Sequence, residues 1–243
     1  MTSSSGHAVR RPGAPALLLV AHGTREAAGA VVVERIAALV RSSMAGVDVR
    51  VCYADVRGPT PAQVLSSLPG PCVAVPMFLA AGYHVRVDVP GQLRAAGRAD
   101  VLIADALGPD PLLVAAAADR LADAGARHDD AVVLAVAGSS DVCAQADSAA
   151  AARRLGRRLG GPVALATIAA GGPRVPEVVA GLRAAGAARV AIASWLLAPG
   201  LFQRRLDAAG ADVVGEPLAD HPAVSALVVQ RYRAALAVGA RTA

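Results

Sequence analysis

The sequence contains no lysine and very few aromatic residues. All 24 of its basic residues are arginine, and aromatics make up 2 % of the chain. Single-stranded nucleic acids are bound on aromatic stacking platforms and clustered positive charge, and this chain offers neither, so we expect no nucleic-acid partner. The planar guanidinium group of arginine suits carboxylates and phosphates, and the net charge of +5 favours an anionic ligand.

Long apolar runs and paired cysteine motifs are also absent. No apolar run reaches the roughly 18 residues that a membrane span needs, so we expect no membrane segment. Cys52, Cys72 and Cys143 form no CxxC motif, which indicates small hydrophobic residues in a reducing compartment. Residues 1–15 lack the apolar stretch of a signal peptide. We therefore predict a disordered tail, which includes His7, on a cytoplasmic protein.

Short apolar runs alternate with longer amphipathic stretches through the rest of the chain. Continuous apolar runs are typical of strands buried on both faces, and the β-α-β-α order predicts parallel sheets covered by helices, an α/β fold. The predicted strands are Ala16–Ala21, Val47–Ala54, Cys72–Met77, Val101–Ala104, Ala131–Val136, Val163–Thr167 and Arg189–Leu196. The predicted helices are Glu26–Met44, Pro61–Leu68, Pro90–Gly97, Pro111–Ala124, Ala144–Leu159, Pro176–Ala185, Leu201–Ala209 and Ala223–Ala237.

The chain also repeats itself. Three pairs of segments match: VAHGTRE with VAGSSD, FLAAGYHVR with LLAPGLFQR, and LGPDP with LADHP. A polar, glycine-containing linker at Asp123–Asp130 separates the two copies. We therefore predict an N-terminal domain at 16–125 that holds the active-site histidines and a C-terminal domain at 130–243. These would be two similar α/β halves that face each other across a cleft.

Two histidines follow strands of the first half. Ligands of parallel sheets bind beyond the carboxyl ends of the strands, where His22 follows the first strand and His84 the third. The equivalent positions of the second half hold Ala137 and Phe202, so the ionisable pair occurs once. Two neutral imidazoles suit Fe²⁺, Co²⁺ or Ni²⁺, and two ligands leave coordination sites open for delivery of the ion. A histidine can also accept a proton near neutral pH.

Other residues near these strand ends complete the predicted site. Asp55 follows the second strand and is a candidate third ligand or proton acceptor, although a turn or capping role is the alternative. Arg25 and Arg86 flank the histidines and could hold substrate carboxylates, with surface ion pairs as the alternative. Gly82 and Tyr83 directly precede the second histidine and are included in the predicted substrate-binding set.

Several remaining residues are predicted to be structural. Asp88 is expected to cap a helix that begins near Pro90, and His221 to cap the last helix. His128 falls in the linker, and Met77 and Trp195 are expected in the cleft wall or the core. The structural predictions are thus Asp88, His128, His221, Met77 and Trp195.

The sequence resembles a known enzyme family at the residues already singled out. The matching segments are AHGTR at Ala21–Arg25, PMFLAAGYHVRVDVP at Pro76–Pro90, ADALGPDPLL at Ala104–Leu113 and LLAPGLFQRRL at Leu196–Leu206. They resemble the class II chelatases of the sirohydrochlorin type, the CbiX/SirB-like family, and the likeness runs through nearly the whole chain after residue 15.

The resemblance implies a two-lobed chelatase fold with Rossmann-like halves, a metal-chelating lyase activity and no organic cofactor. It implies ATP-independent insertion of Fe²⁺ or Co²⁺ into sirohydrochlorin, an acidic tetrapyrrole, towards siroheme or cobalamin. The family's metal-binding histidines correspond to His22 and His84, and its acidic residue after the second strand to Asp55. Asp110 stands where many relatives have a histidine in the LGPHP turn, which puts any accessory role of that position in doubt.

Two other functions remain open from the sequence. A non-catalytic metal or tetrapyrrole carrier would use the same histidines without accelerating metal insertion. A phosphohistidine phosphatase is disfavoured, because Ala21 stands where an RHG motif would place its phosphate-binding arginine. The residues leave open the physiological metal, the choice between the siroheme and cobalamin pathways, and whether the protein is a monomer or a homodimer.

Overall fold

The computed structural model describes residues 14–68 and 70–242, so the predicted tail falls outside the described residues up to residue 13. The strands are β1 (Ala16–Ala21), β2 (Val49–Tyr53), β3 (Cys72–Pro76), β4 (Leu102–Ile103), β5 (Ala131–Gly138), β6 (Val163–Ala170), β7 (Val190–Trp195) and β8 (Val213–Val214). The helices are α1 (Ala27–Ser43), α2 (Pro61–Ser66), α3 (Val89–Ala95), α4 (Pro111–Asp123), α5 (Val142–Leu159), α6 (Val175–Ala184), α7 (Leu201–Asp207) and α8 (Pro222–Thr242).

The strands form two parallel sheets with the same internal order. The first sheet runs β2-β1-β3-β4 and the second runs β6-β5-β7-β8. This arrangement confirms the predicted α/β fold of two similar halves. We call β1 to α4 the first half and β5 to α8 the second half. The edge strand β4 was predicted from the apolar run Val101–Ala104, whereas β8 was not, because Val213 and Val214 stand alone between Asp212 and Gly215.

Both central strands are buried on both faces. In β1, Leu17 and Leu19 face the large core shared by the two halves, whereas Leu18 and Val20 face a smaller core formed with α2 and α3. The corresponding strand β5 alternates in the same way between the shared core and a third cluster. Strands that pack on helices on both sides need continuous apolar sequence, which explains why alternation is missing from ALLLVA.

The two halves exchange their last helices. Helix α4, which ends the first half, packs on β7 and α5 of the second half. Helix α8, which ends the second half, packs on β3, β4 and α1 of the first half. Leu113 of α4 and Leu227 of α8 are fully buried in the shared core. The halves are therefore joined by reciprocal packing as well as by the chain between α4 and β5.

The segment after β3 differs from its predicted form. Helix was predicted from Pro90, but the chain is already helical from His84, where a π-helical turn (His84–Asp88) runs directly into α3. The amide of Val89 donates to the carbonyl of His84, five residues earlier, and Pro90 has no amide hydrogen to donate. The prediction that Asp88 caps this helix is wrong, since its backbone is helical and its side chain caps no amide.

The cysteines are free thiols, and two of them are deeply buried. Burial raises the pKa of Cys52 to about 12 and that of Cys72 to about 11, which keeps both thiols protonated. Cys143 is only partly buried, at the start of α5, so the expectation of a buried hydrophobic residue fits it less well. None of the helices among the described residues has the length and apolar character to cross a membrane.

Candidate metal site

His22 and His84 lie side by side at the carboxyl edge of the first sheet. Their ring centroids are 4.7 Å apart, with the planes at 81° to each other. The ring of Phe78 lies 6.1 Å from that of His22 and 6.0 Å from that of His84, so it supports both. His22 is exposed, and the side chain of His84 is 38 % exposed. A small ion or a large ligand can therefore reach both imidazoles.

A glycine positions the first histidine. Gly23 has a φ of +100°, and a Cβ atom there would lie 2.2 Å from the carbonyl oxygen of Asp55. The amide of Asp55 in turn donates to the carbonyl of His22 at 2.9 Å. Only glycine permits this backbone conformation together with the close approach of the β2 loop. The turn after β1 therefore holds His22 beside the end of β2.

The same nitrogen is engaged in both rings. Nδ1 of His84 lies 2.9 Å from Oδ2 of Asp88, and Nδ1 of His22 lies 3.3 Å from the carbonyl oxygen of Gly23. Carboxylate and carbonyl oxygens are acceptors only, so a neutral ring that bonds them carries its proton on Nδ1. Nε2 is then the atom with a free lone pair in each ring. The pair can offer two nitrogen ligands to one ion.

Asp88 and Gln92 are members of the site that the sequence interpretation missed. Gln92 Nε2 donates to Oδ1 of Asp88 at 3.0 Å. Partial burial raises the pKa of Asp88, but hydrogen bonds from His84 and Gln92 outweigh it and leave that pKa below its usual value. A signal was present in the sequence: His84 and Asp88 stand four positions apart, as residues on one helix face do.

Asp55, the predicted third ligand or proton acceptor, follows β2 and lies next to His22. Its Oδ1 accepts from the amide of Val56 at 2.7 Å, and the residue is exposed. Across residues 14–68 and 70–242, no group of three or more histidine, cysteine, aspartate or glutamate side chains could hold a metal. The structure therefore brings His22 and His84 together, and the role of Asp55 as third ligand or proton acceptor stays a prediction.

The two predicted substrate-binding arginines have different surroundings. Arg86 Nη2 donates to Oδ2 of Asp141, the N-cap residue of α5, at 2.7 Å. This hydrogen bond lowers the pKa of Asp141. Arg25 is exposed and forms no ion pair with any residue in the described part of the chain. Arg25 is thus available to an anion, whereas Arg86 would first have to leave Asp141.

Gly82 and Tyr83 occupy contrasting positions. A Cβ atom on Gly82 would lie 3.2 Å from the Cβ of Ala144, so this glycine lets the loop after β3 dock on α5. Tyr83 is 60 % exposed, and its ring lies 6.1 Å from that of His84. Of the two, Tyr83 presents a surface to a ligand, and Gly82 serves the contact between halves.

A second ion pair between the halves mirrors that of Arg86. Arg204 on α7 donates through both Nη atoms to the carboxylate of Glu26, the N-cap residue of α1, at 2.8 Å each. Arg204 matches Arg86 in the repeat, and Glu26 matches Asp141. In each half, therefore, an arginine forms an ion pair with the N-cap residue of the other half's long helix. The sequence interpretation found the repeat but not this reciprocity.

Several predicted structural residues are found in that role. His221 Nδ1 accepts from the amide of Ala223 at 3.2 Å, which confirms it as a cap of α8. Met77 and Trp195 are both 3 % exposed and belong to the shared core. Asp110 caps α4 through the amide of Leu112 and pairs with Arg231 of α8 at 2.9 Å. The aspartate in the LGPDP turn thus links α4 to α8 through an ion pair.

Two cavities elsewhere in the described chain do not include the histidines. One of about 230 Å³ lies between β4 and the end of α8. Another of about 540 Å³ lies at the carboxyl end of β6, with Arg174 and Arg205 among its lining residues. The histidine pair is accessible on an open surface, which suits a ligand larger than either cavity.

The chain is similar to known proteins in sequence and in fold. The CbiX family model matches residues 16–124 and 131–235, once in each half. The structure is similar to that of SirB from Bacillus subtilis with Fe³⁺, with a TM-score of 0.79 and 21 % sequence identity, over 91 % of this chain and 95 % of that chain. The search of curated proteins returned no match.

Two further solved structures are similar. The sirohydrochlorin chelatase SirB from Bacillus subtilis subspecies spizizenii, in complex with cobalt, has a TM-score of 0.74 and 20 % identity, over 91 % of this chain and 94 % of that one. CbiX, the terminal enzyme for biosynthesis of siroheme in denitrifying bacteria, has a TM-score of 0.62 and 22 % identity. The match covers 90 % of this chain and 98 % of that one. At these identities the structural likeness establishes a shared fold.

Proposed function

The chain belongs to the CbiX family, and from that membership we propose that it is a sirohydrochlorin chelatase. The reaction would insert Fe²⁺ or Co²⁺ into sirohydrochlorin without ATP and without an organic cofactor. The similar structures support this choice of substrates, because SirB is described with Fe³⁺ or cobalt and CbiX as an enzyme of siroheme biosynthesis.

The pair of imidazoles at the edge of the first sheet is the observation on which the proposal rests. His22 and His84 have their rings 4.7 Å apart and their Nδ1 atoms engaged, so both Nε2 atoms are free to bind one ion. Two nitrogen ligands bind Fe²⁺ or Co²⁺ but leave most coordination positions open. An ion held in this way can pass to the four ring nitrogens of a tetrapyrrole, whereas a closed four-ligand site would retain it.

Metal insertion exchanges protons for the ion. Two pyrrole N–H bonds break, two metal–nitrogen bonds form in their place, and two protons must be taken up. As the ion leaves, the Nε2 atoms of His22 and His84 regain lone pairs and can accept those protons. The exposed carboxylate of Asp55, whose amide is bonded to the carbonyl of His22, is a second acceptor that can pass a proton to water.

Arginines would hold the acidic pigment. Arg25 is exposed without an ion pair among the described residues, and a guanidinium group binds a carboxylate through two parallel hydrogen bonds. Arg86 would contribute by exchanging Asp141 for a pigment carboxylate, and the exposed ring of Tyr83 would lie against the macrocycle. We place the reaction in the cytoplasm, carried out by a monomer or homodimer with no nucleic-acid or membrane partner.

The test is the anaerobic absorbance of sirohydrochlorin mixed with Co²⁺ or Fe²⁺, with and without the protein. The proposal predicts a faster shift to the metallated spectrum with the wild-type protein. The double variant His22→Ala/His84→Ala should lose that acceleration while remaining folded and still binding the pigment. Comparison of the two metals at equal concentration ranks them as substrates.

Two results would contradict the proposal. If the pigment binds but metallation runs at the rate found without protein, the protein is a carrier. If the folded double variant inserts metal at the wild-type rate, the histidines are not the metal-handling pair.

A further inference from the structure

A hydrogen-bonded chain ties the ring of His84 to the first sheet. His84 Nδ1 bonds Oδ2 of Asp88 at 2.9 Å, and Oδ1 of the same carboxylate accepts from Gln92 Nε2 at 3.0 Å. Gln92 Nε2 also donates to the carbonyl of Ala54, at the end of β2, at 2.7 Å. Both oxygens of Asp88 are therefore used, one for the histidine and one for the residue that anchors the carboxylate.

This arrangement fixes both the tautomer and the ring orientation of His84, which are free to vary in an isolated histidine. A carboxylate cannot donate a hydrogen bond, so the neutral His84 ring must keep its proton on Nδ1 and its lone pair on Nε2. The same bond opposes a flip of the ring, which would exchange the positions of carbon and nitrogen. Outer partners of this kind set the orientation and basicity of metal-binding histidines.

The second half lacks both the histidine and its supports. The helical segment after β3 runs from His84 to Ala95, whereas α7 of the second half runs only from Leu201 to Asp207, so the first half contains an insertion. The longer segment of the first half contains Asp88, Gln92 and the π-helical turn. In the second half, Leu206 stands four residues after Phe202 and is fully buried. The supporting pair is therefore found where the histidine is found.

The helix itself does not depend on this polar chain. Val89 and Leu93 are 0 % and 2 % exposed and fix the segment in the core beneath the first sheet. Asp88 is partly exposed and caps no amide. A change at Asp88 should therefore alter the histidine more than the fold.

We propose that Asp88, held by Gln92, is a positioning residue that fixes the Nδ1–H tautomer and the orientation of His84, and so sets the affinity of the site for a divalent metal. The inference deepens the proposed function and rests on it for the role of His84 as a metal ligand. It concerns the metal-free protein and the metal-bound protein before any pigment is present.

The experiment compares the wild-type protein with Asp88→Asn by two readouts that need no pigment. The ¹⁵N chemical shifts of the imidazole nitrogens report the tautomer of His84 in the metal-free protein, and titration with Co²⁺ reports metal affinity. Asparagine can donate as well as accept, so His84 should become a mixture of tautomers. Affinity for Co²⁺ should fall by about 10- to 100-fold, as expected for loss of an outer partner. Asp88→Glu, which retains a carboxylate, should recover part of the affinity.

The second half supplies a matched control. Gln203 Nε2 donates to Oδ1 of Asp207 at 3.0 Å, a glutamine–aspartate pair one helical turn apart with no histidine. Asp207→Asn should leave Co²⁺ affinity and the His84 tautomer unchanged. Should Asp88→Asn fail to fold, Gln92→Met frees Asp88 and is expected to give the same changes to a smaller degree.

An unchanged tautomer and unchanged Co²⁺ affinity in folded Asp88→Asn, or in Gln92→Met if the first does not fold, would overturn the inference. Failure of the proposed function looks different. In that case the wild-type protein would bind Co²⁺ through a fixed His84 and yet not accelerate insertion into sirohydrochlorin.

Discussion

At the carboxyl edge of the first sheet stand His22 and His84, and at the matching positions of the second sheet stand Ala137 and Phe202. The two sheets have the same strand order, and each half sends an arginine to the other. What the halves share is thus the scaffold and the contact between them. What they do not share is the pair of imidazoles and the insertion that supports one of them.

The difference shows which parts of a duplicated unit are constrained by packing. Each half's last helix covers the other half's sheet, so a change at these contacts disturbs both halves together. A strand-end side chain beside an open surface has no such partner and can change alone. We infer that the first half performs the metal chemistry and that the second half completes the core and closes the contact.

The largest expected effect comes from the exchanged helices. Leu113→Ala in α4 and Leu227→Ala in α8 each remove a fully buried side chain from the shared core, and each should lower the free energy of unfolding by about 2–5 kcal/mol. Both variants should still unfold in one transition. Urea unfolding followed by Trp195 fluorescence and by far-ultraviolet circular dichroism measures this. Separate transitions for the two probes would show that the halves are independent.

A transplant of the histidines sharpens the comparison. Ala137→His with Phe202→His, made in a His22→Ala/His84→Ala background, places the ionisable pair in the second half alone. We expect Co²⁺ binding at least about 10-fold weaker than in the wild-type protein, because Leu206 stands where an outer carboxylate would be needed. Isothermal titration with Co²⁺ measures it. Wild-type affinity in the transplant would mean that the insertion around Asp88 is dispensable.

Charge exchange at the two arginines should have smaller effects and should separate their roles. Glu26→Arg with Arg204→Glu reverses one pair and should leave the KM for sirohydrochlorin unchanged. Arg86→Asp with Asp141→Arg also keeps a pair but places a negative charge near the pigment, and should raise KM by roughly two- to tenfold. Steady-state metallation measures both. Equal KM values would show that Arg86 serves only the contact between halves.

These pairs also have a defined pH dependence. Hydrogen bonds from Arg204 and Arg86 lower the pKa values of Glu26 and Asp141. A lowered carboxyl pKa means that the contribution of each pair is complete above the ordinary carboxyl pKa and is lost as the pH falls through the lowered value. Thermal midpoints of the wild-type protein and the Glu26→Gln variant should therefore converge only in acid.

The sequence was sufficient for the fold and for the two histidines because each rests on a local pattern. Buried parallel strands such as β1 and β5 are recognised by their continuous apolar runs. His22 directly follows one such run, and His84 lies in the segment after another. The edge strand β8 was missed because its two valines are flanked by Asp212 and Gly215 and form no apolar run. The likeness of VAHGTRE to VAGSSD revealed the repeat but not the exchange of helices, which depends on contacts between distant segments.

The support of His84 was missed for a different reason. Aspartate often caps a helix, and the helix was expected to begin near Pro90, so Asp88 was interpreted as its cap. The π-helical turn carries the helix past Pro90 and turns Asp88 towards the histidine one turn earlier. For Asp55 the position after β2 suggested a ligand or proton acceptor, and its carboxylate accepts from the next backbone amide, so that role stays a prediction.

The most direct test of the account is the rate of Co²⁺ insertion into sirohydrochlorin by two matched variants, His84→Ala and Phe202→Leu. Both positions lie two residues after a glycine in the repeated loop, one in each half. We predict that His84→Ala loses at least about 100-fold in rate, the scale of a lost proton acceptor, and that Phe202→Leu retains the wild-type rate. Equal losses in the two variants, or a wild-type rate for folded His84→Ala, would contradict the assignment of the metal chemistry to the first half.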